Sequence, residues 1–279
     1  MGEVFGAGGA GMKIAVCLHG YYGTVSTGDM TTGSKSAEKI KDFFSGRDVD
    51  YFIHCWQPEH ETTLRDSYSP KKIVCEKQKD FSPVMVKHGL DQSWFDEGFD
   101  RPRTMYRNAQ ISRSLSFLYS RSKALQLLEG EYDRVFIMRL DIGNVGPDDV
   151  NFPHRFDFDS DEKYVYSVYW NQLNAGLGDM WFVCNQKDAE IMSTVYDKSL
   201  EYYKKDSGYV RAMLWGWPDS EWFPFELAGR DPREFSNVVL SQNKPTDLMT
   251  YPKWYCVNNH NMYKYFFIDT GLYQRTKYI

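Results

Sequence analysis

Nothing in this chain suits it to a membrane span, a nucleic acid or a disulfide framework. No apolar run in its 279 residues reaches the roughly 20 residues that a membrane helix needs. Its 33 Lys and Arg against 38 Asp and Glu leave a net charge of −5, with no basic run. A nucleic-acid backbone asks for a basic face, so it is not the expected partner. A nucleotide is not excluded, because one local cation or metal suffices for it. There are only five cysteines, Cys17, Cys55, Cys75, Cys184 and Cys256, odd in number and with no CxxC pair. They spell neither a zinc site nor a disulfide scaffold. They read as small buried hydrophobes in a reducing compartment. Internal repeats, low-complexity segments and a clear linker are also missing. The stretch 1–11 lacks the basic start and apolar core of a signal peptide. Its Gly and Ala residues read as a flexible leader or an expression scar, with Met12 as the natural start. The expected location is the cytoplasm.

Aromatic residues are abundant. The chain holds 20 Tyr and 8 Trp, and 42% of it is hydrophobic, enough for a well-packed core. The aromatics have two readings: bulky packing, or platforms for a sugar or base, whose faces stack on rings that also carry a polar handle.

The apolar pattern predicts an α/β fold. Ile14-Ala15-Val16-Cys17-Leu18 is a continuous apolar run and reads as a central strand buried on both faces. It runs into His19-Gly20-Tyr21-Tyr22-Gly23, a turn. Ser36 is the expected cap of a helix over 37–44. Strands are predicted at 50–56 and 72–76. Residues 77–108 read as irregular cover for the active face. Ile111, Leu115, Leu118, Leu125 and Leu128 recur at helical spacing and predict a helix over 111–129. Further strands are predicted at 135–140, 164–170 and 180–184, with a flexible loop over 174–178. One helix is expected over about 188–204 and another opening after Pro218, and the tail from Arg230 reads as loop-rich. Strand, helix, strand, loop, strand is the opening of a doubly wound sheet. The expectation is one Rossmann-like domain over 12–279, with a mixed, mostly parallel sheet flanked by helices. Residues 12–145 would form its nucleotide-binding half and 146–279 its acceptor-binding half.

The segment Val135-Phe136-Ile137-Met138-Arg139-Leu140-Asp141 is the most informative. It reads as a buried strand that delivers a carboxylate to its C-terminal edge, where α/β sheets bind ligands. Two readings fit Asp141. It is a ligand for a hard divalent cation that bridges phosphate oxygens, or it caps a loop or pairs with a nearby Arg.

Several pieces together resemble the GT-A glycosyltransferases of the capsule, lipopolysaccharide and large-DNA-virus type. Lys13 to Gly20 resembles their first strand and nucleotide loop, and Asp48 to Trp56 their second strand. Tyr68 to Val74 resembles the approach to the third, and Tyr119 to Ala124 their donor-side helix. Arg139-Leu140-Asp141 stands where the family carries its metal-binding Asp-x-Asp. The resemblance covers roughly residues 13–185. The length and the Arg-Leu-Asp form of the motif are similar to the xylosyltransferases by which such viruses decorate capsid glycans. Arg139 is a departure from the motif, because an Arg cannot ligate a cation. It can instead form paired hydrogen bonds to phosphate.

The resemblance implies an inverting transfer of a sugar, with xylose from UDP-xylose the leading choice, onto a glycan or glycoprotein acceptor. It implies Mn²⁺ or Mg²⁺, with Asp141 and His260 as ligands. It also implies a donor site of His19, Gly20, Tyr21, Tyr22, Ser120 and Arg139. An inverting reaction needs a general base at the acceptor hydroxyl. Asp219 and Glu221, just after Pro218, are the candidates, with Asp179 the rival or a partner of sugar hydroxyls. Each has a plain structural alternative: helix capping for Asp219 and Glu221, a strand-edge role for Asp179, a loop histidine for His260. Trp170, Trp181, Trp215, Trp217 and Trp222 suit acceptor stacking, or core packing for Trp181. Two other functions compete: a sugar-phosphate or nucleotidyl transferase, and a carbohydrate-binding or assembly protein on a decayed transferase scaffold.

Overall fold

The computed structural model describes residues 11–23, 31–97, 110–142, 152–170, 176–215 and 253–279. In chain order the elements are β1 (Lys13–Gly20), α1 (Thr31–Phe43), β2 (Asp48–Cys55), α2 (Glu61–Tyr68), β3 (Lys72–Cys75), α3 (Ser82–His88), α4 (Gln92–Phe95), α5 (Ile111–Gln126) and β4 (Arg134–Arg139). They continue with β5 (Val165–Trp170), β6 (Gly176–Cys184), α6 (Gln186–Met192), α7 (Val195–Tyr202), α8 (Gly208–Trp215), α9 (Asn259–Asp269) and β7 (Thr276–Tyr278). The strands form one sheet in the order β3-β2-β1-β4-β6-β5-β7. Parallel pairing joins β1 to β2 and β4, β2 to β3, and β5 to β7, while β6 runs against β4 and β5. This is the expected mixed, mostly parallel α/β sheet.

Alternation along each strand builds two cores. Ala15, Cys17, Phe52, Val135 and Ile137 face α5, α7 and α9. Ile14, Val16, Leu18, Ile53, Phe136 and Met138 face α1 and α2. Ile14 to Leu18 are fully buried because helices cover both faces of β1. Aromatic abundance is largely core packing on the α1 face. There Phe136 meets Phe44 and Phe156 edge-on, and Phe43 meets Phe152 in the same way. Trp181 is only 2% exposed and belongs to this core.

Five expectations need correction. Ser36 lies inside α1 and not at its start. The helix already runs at Gly33, whose lack of a side chain accommodates the Tyr22 ring, since a Cβ there would lie 2.7 Å from it. The stretch 77–108 contains α3 and α4. The single helix over 188–204 is two helices. Ser193 and Thr194 turn their hydroxyls onto the carbonyls of Glu190 and Ile191 at 2.7 and 2.8 Å, the local competition that breaks helices. The expected loop at 174–178 is strand from Gly176 onward, and Gly178 serves close strand approach: a Cβ would meet Val168 Cγ1 at 2.6 Å. The tail carries α9, capped by Asn258. Polar Asn261 and Lys264 are buried beside Met262, Tyr263, Phe266 and Phe267, so burial extends around the helix and no clean apolar stripe marks it. Among the described residues no helix is long and apolar enough to cross a membrane.

Candidate functional site

Chain order along the sheet reverses at β1. From there the chain passes outward to β2 and β3, then returns to lay β4 on the other side. Such a switch point opens a crevice beyond the carboxyl ends of the strands. Here it is lined by register partners. His19 on β1 stands beside His54 on β2 and beside Arg139 on β4. Strand alternation turns all three toward the α5 face, the face of Cys17, Phe52 and Ile137.

Helix α5 adds a second guanidinium. Arg121 is fully buried. Its Nε donates to His19 Nε2 at 3.0 Å, and its Nη2 donates to the Asp179 carbonyl. Its guanidinium lies 4.9, 5.1 and 4.7 Å from the ring centroids of Phe117, Phe182 and Tyr263. Three ring faces solvate a cation that has left water. Its Nη1 has no hydrogen-bond partner among the described residues. Burial pulls the Arg121 pKa down, opposed by Tyr263 and Asp179. Because Arg121 can only donate, His19 Nε2 is an acceptor and the imidazole proton resides on Nδ1. Burial, followed by Arg121, Arg139 and His54, holds His19 well below the ordinary imidazole range. His19 is therefore neutral.

On the β4 side the charges are paired and partly open to solvent. Arg139 donates Nε to Asp141 Oδ1 at 2.7 Å and Nη2 to Asp141 Oδ2 at 2.6 Å. The two side chains are 27% and 13% exposed. Burial opposes the Arg139 charge, and Asp141 and then Asp179 outweigh it, so its pKa rises. Arg139 Nη1 rests on Met180 Sδ at 3.3 Å. Asp179 follows Gly178 on β6, beside the register shift between Ser167 and Tyr169 on β5. Such irregularities re-aim side chains near sites. Burial pushes the Asp179 carboxyl up. His260, Arg139 and Arg121, with a hydrogen bond from Asn259, prevail and hold it below the usual carboxylate range. His260 lies in the first turn of α9 with Nδ1 2.8 Å from the Leu177 carbonyl, so Nδ1 carries the proton.

A chain of hydrogen bonds sets the end of β1. Gly20 N donates to Ser120 Oγ at 2.9 Å, Ser120 Oγ lies 2.8 Å from His54 Nδ1, and His54 Nε2 lies 3.1 Å from Glu76 Oε1. The carboxylate only accepts, so Nε2 donates to it and Nδ1 accepts from Ser120. Burial pushes His54 down, and the bond to Glu76 offsets this only in part. Gly20 has φ of +107°, a conformation open to glycine, and the chain anchors it there.

The structure gathers His19, Gly20, Ser120, Arg139, Asp141, Asp179 and His260 at one end of the sheet. Ser120 and His19 are fully buried, so they position Gly20 and Arg121 and present no exposed surface themselves. Of the two tyrosines, Tyr22 is 3% exposed and packed on α1, whereas Tyr21 is half-buried with its hydroxyl on Gln78. Asp219, Glu221, Trp217 and Trp222 lie outside the described residues, as do the side chains of Trp170 and Trp215. His54, Glu76, Asn259 and Arg121 escaped sequence reasoning. Arg121 had a usable signal: it falls on the apolar stripe between Leu118 and Leu125.

The described residues do not fit the expected metal site. Both Asp141 oxygens are taken by Arg139. No group of three or more His, Cys, Asp or Glu able to hold a metal occurs among the described residues. Of the two readings of Asp141, pairing with a nearby Arg is the one seen. In comparisons with known proteins, no family model, no curated protein and no solved structure matches this chain.

Proposed function

We propose that this chain is a nucleotide-sugar glycosyltransferase whose donor diphosphate binds beyond the carboxyl ends of β1 and β4. The observation that carries the reading is the switch point itself, where Arg139, Asp141, Arg121, His19 and Asp179 converge from four elements. Arg139 is the diphosphate contact. Its planar fork matches paired phosphate oxygens, and Asp141 holds that fork in place. Asp179 is held anionic well below neutrality, which suits it to accept hydrogen bonds from sugar hydroxyls and makes it a poor base near pH 7. Base duty in the inverting reaction falls to Glu221 or Asp219. Xylose from UDP-xylose and a glycan acceptor are the finer assignments, and they rest on the sequence resemblance alone.

A second reading has one observation in its favour. Arg139 claims both oxygens of the motif carboxylate, as expected of a scaffold that binds a nucleotide sugar without turning it over. Measuring nucleoside diphosphate release from UDP-xylose, UDP-glucose and GDP-mannose, with and without Mn²⁺, separates the two. Release from one donor, lost in Asp141→Asn, supports the transferase. Binding of a donor without release supports the binding protein, and pyrophosphate release from UTP with a sugar 1-phosphate points to a nucleotidyl transferase. Absence of any nucleotide binding refutes the site.

A further inference from the structure

The sheet brings together two cysteines that are 20 positions apart in sequence. Cys55 closes β2 and Cys75 closes β3, and parallel pairing sets them in register. Both lie on the α1 and α2 face, one step beyond the register pair Ile53 and Ile73. Adjacent strands run about 4.8 Å apart, inside the roughly 4.4–6.8 Å Cα separation that a disulfide spans. Both thiols are free. The Cys75 thiol draws the Cys55 pKa down against burial, and Cys55 together with burial drives Cys75 up. The pair therefore gives up a first proton more readily than a second. Cys55 is buried, whereas Cys75 is half-buried on the edge strand, beside Val74 at 38% exposure. A reagent from solvent reaches Cys75 first.

We propose that Cys55 and Cys75 form a redox-responsive dithiol site, which a two-electron disulfide oxidant such as glutathione disulfide converts to an intramolecular disulfide joining β2 to β3. The accessible Cys75 sulfur, passing its proton to the Cys55 thiolate, attacks one sulfur of the oxidant. The oxidant's S–S bond breaks and one glutathione thiolate leaves. The Cys55 thiolate then attacks the Cys75 sulfur of the mixed disulfide and expels the second glutathione thiolate. Two protein thiols lose two electrons, the oxidant gains them, and the two released protons end on the two glutathione thiols. The site adjoins the switch point. Cys55 is the register partner of Gly20, its thiol faces the Gln57 carbonyl at 3.9 Å, and Gln57 Oε1 accepts from Tyr22 N at 2.7 Å. The proposal is independent of the function assigned above.

The test is to incubate the folded full chain with glutathione disulfide, block remaining thiols, digest, and map the peptides by mass. The expected product links the Cys55 and Cys75 peptides and is reversed by dithiothreitol, with Cys17, Cys184 and Cys256 left as thiols. In Cys55→Ala the reaction should stop at a stable glutathione adduct on Cys75. In Cys75→Ala, a change at a half-buried edge position, neither adduct nor disulfide should form. A stable Cys75 adduct in the unaltered chain, five thiols left intact, or a disulfide that uses any other cysteine would each overturn the proposal.

Discussion

The two ends of the same parallel strands handle charge in opposite ways. At the amino ends of β1, β2 and β4 most charges are matched and wet, with Arg134 on β4 the buried exception. Lys71 meets Asp50 at 3.3 Å with side chains 35% and 30% exposed, and Tyr132 donates to Asp50 at 2.7 Å. At the carboxyl ends Arg121, His19 and His54 are fully buried, and aromatic rings surround the Arg121 guanidinium. Exposed pairs contribute little to stability. Buried ionic groups often stabilise less than apolar side chains of the same volume. The amino end therefore serves solubility and strand-end geometry. The carboxyl end keeps charges that the fold does not need, which is the physical mark of a site.

The largest expected effect sharpens this contrast. Asp141→Asn should lower turnover about a hundredfold, or roughly 3 kcal/mol at the transition state, because Arg139 loses the carboxylate that holds its fork in place for the diphosphate. It should also destabilise the fold by about 2 kcal/mol, because Arg139 loses its carboxylate in a largely buried position. Steady-state rates and denaturant midpoints measure the two. Asp141→Asn with normal turnover would remove the distinction between the ends.

Arg139→Lys comes next. An ammonium keeps the charge and loses the fork, so donor affinity by calorimetry should fall about tenfold, roughly 1.4 kcal/mol. Intact affinity with a lowered melting temperature would make Arg139 a structural partner of Asp141 and nothing more.

The pH dependence of stability is the third and smaller effect. His19 and His54 are both held below the ordinary imidazole range by burial first. The unfolded chain binds protons at these histidines below about pH 6.5 while the folded chain does not. Their contribution is therefore complete above that pH and is lost as pH falls toward the folded values. The slope should approach about 1.4 kcal/mol per pH unit for each histidine. Asp179 adds a separate loss at lower pH, since its folded pKa is depressed and the unfolded carboxyl protonates first, near pH 4. Urea titrations from pH 7.5 to 4.5 check this, and a flat profile to pH 5 would show that neither histidine is held neutral. The smallest effect is assigned to Asp50→Asn at the amino end, which should leave donor binding and turnover unchanged. A change in donor affinity there would blur the two ends.

Much of the frame was legible without coordinates. Ile14 to Leu18 could only be a strand covered on both faces, and Val135 to Leu140 a strand ending near a carboxylate. The 3.6-residue recurrence of Ile111, Leu115, Leu118 and Leu125 could only be a helix against that sheet. Local pattern carries such information because burial repeats with the period of the backbone. It failed at α1 and α9, where packing against Tyr22 and burial on several sides overrode weak or absent periodicity. It failed at Gly178 as well, because the need for a bare backbone beside Val168 is set by another strand.

The sequence by itself determined the α/β class, the chain order of the principal strands and the presence of Asp141 just past a strand end. Tertiary structure alone decided which of these residues meet. Register placed His54, His19 and Arg139 side by side and Cys55 against Cys75. Helix α5 brought Arg121 onto His19, and α9 brought His260 toward Asp179. The physical reason is that a side chain's charge state and partners depend on neighbours far away in sequence. Crossover connections and strand register select those neighbours, and neither is written in the local period of the chain.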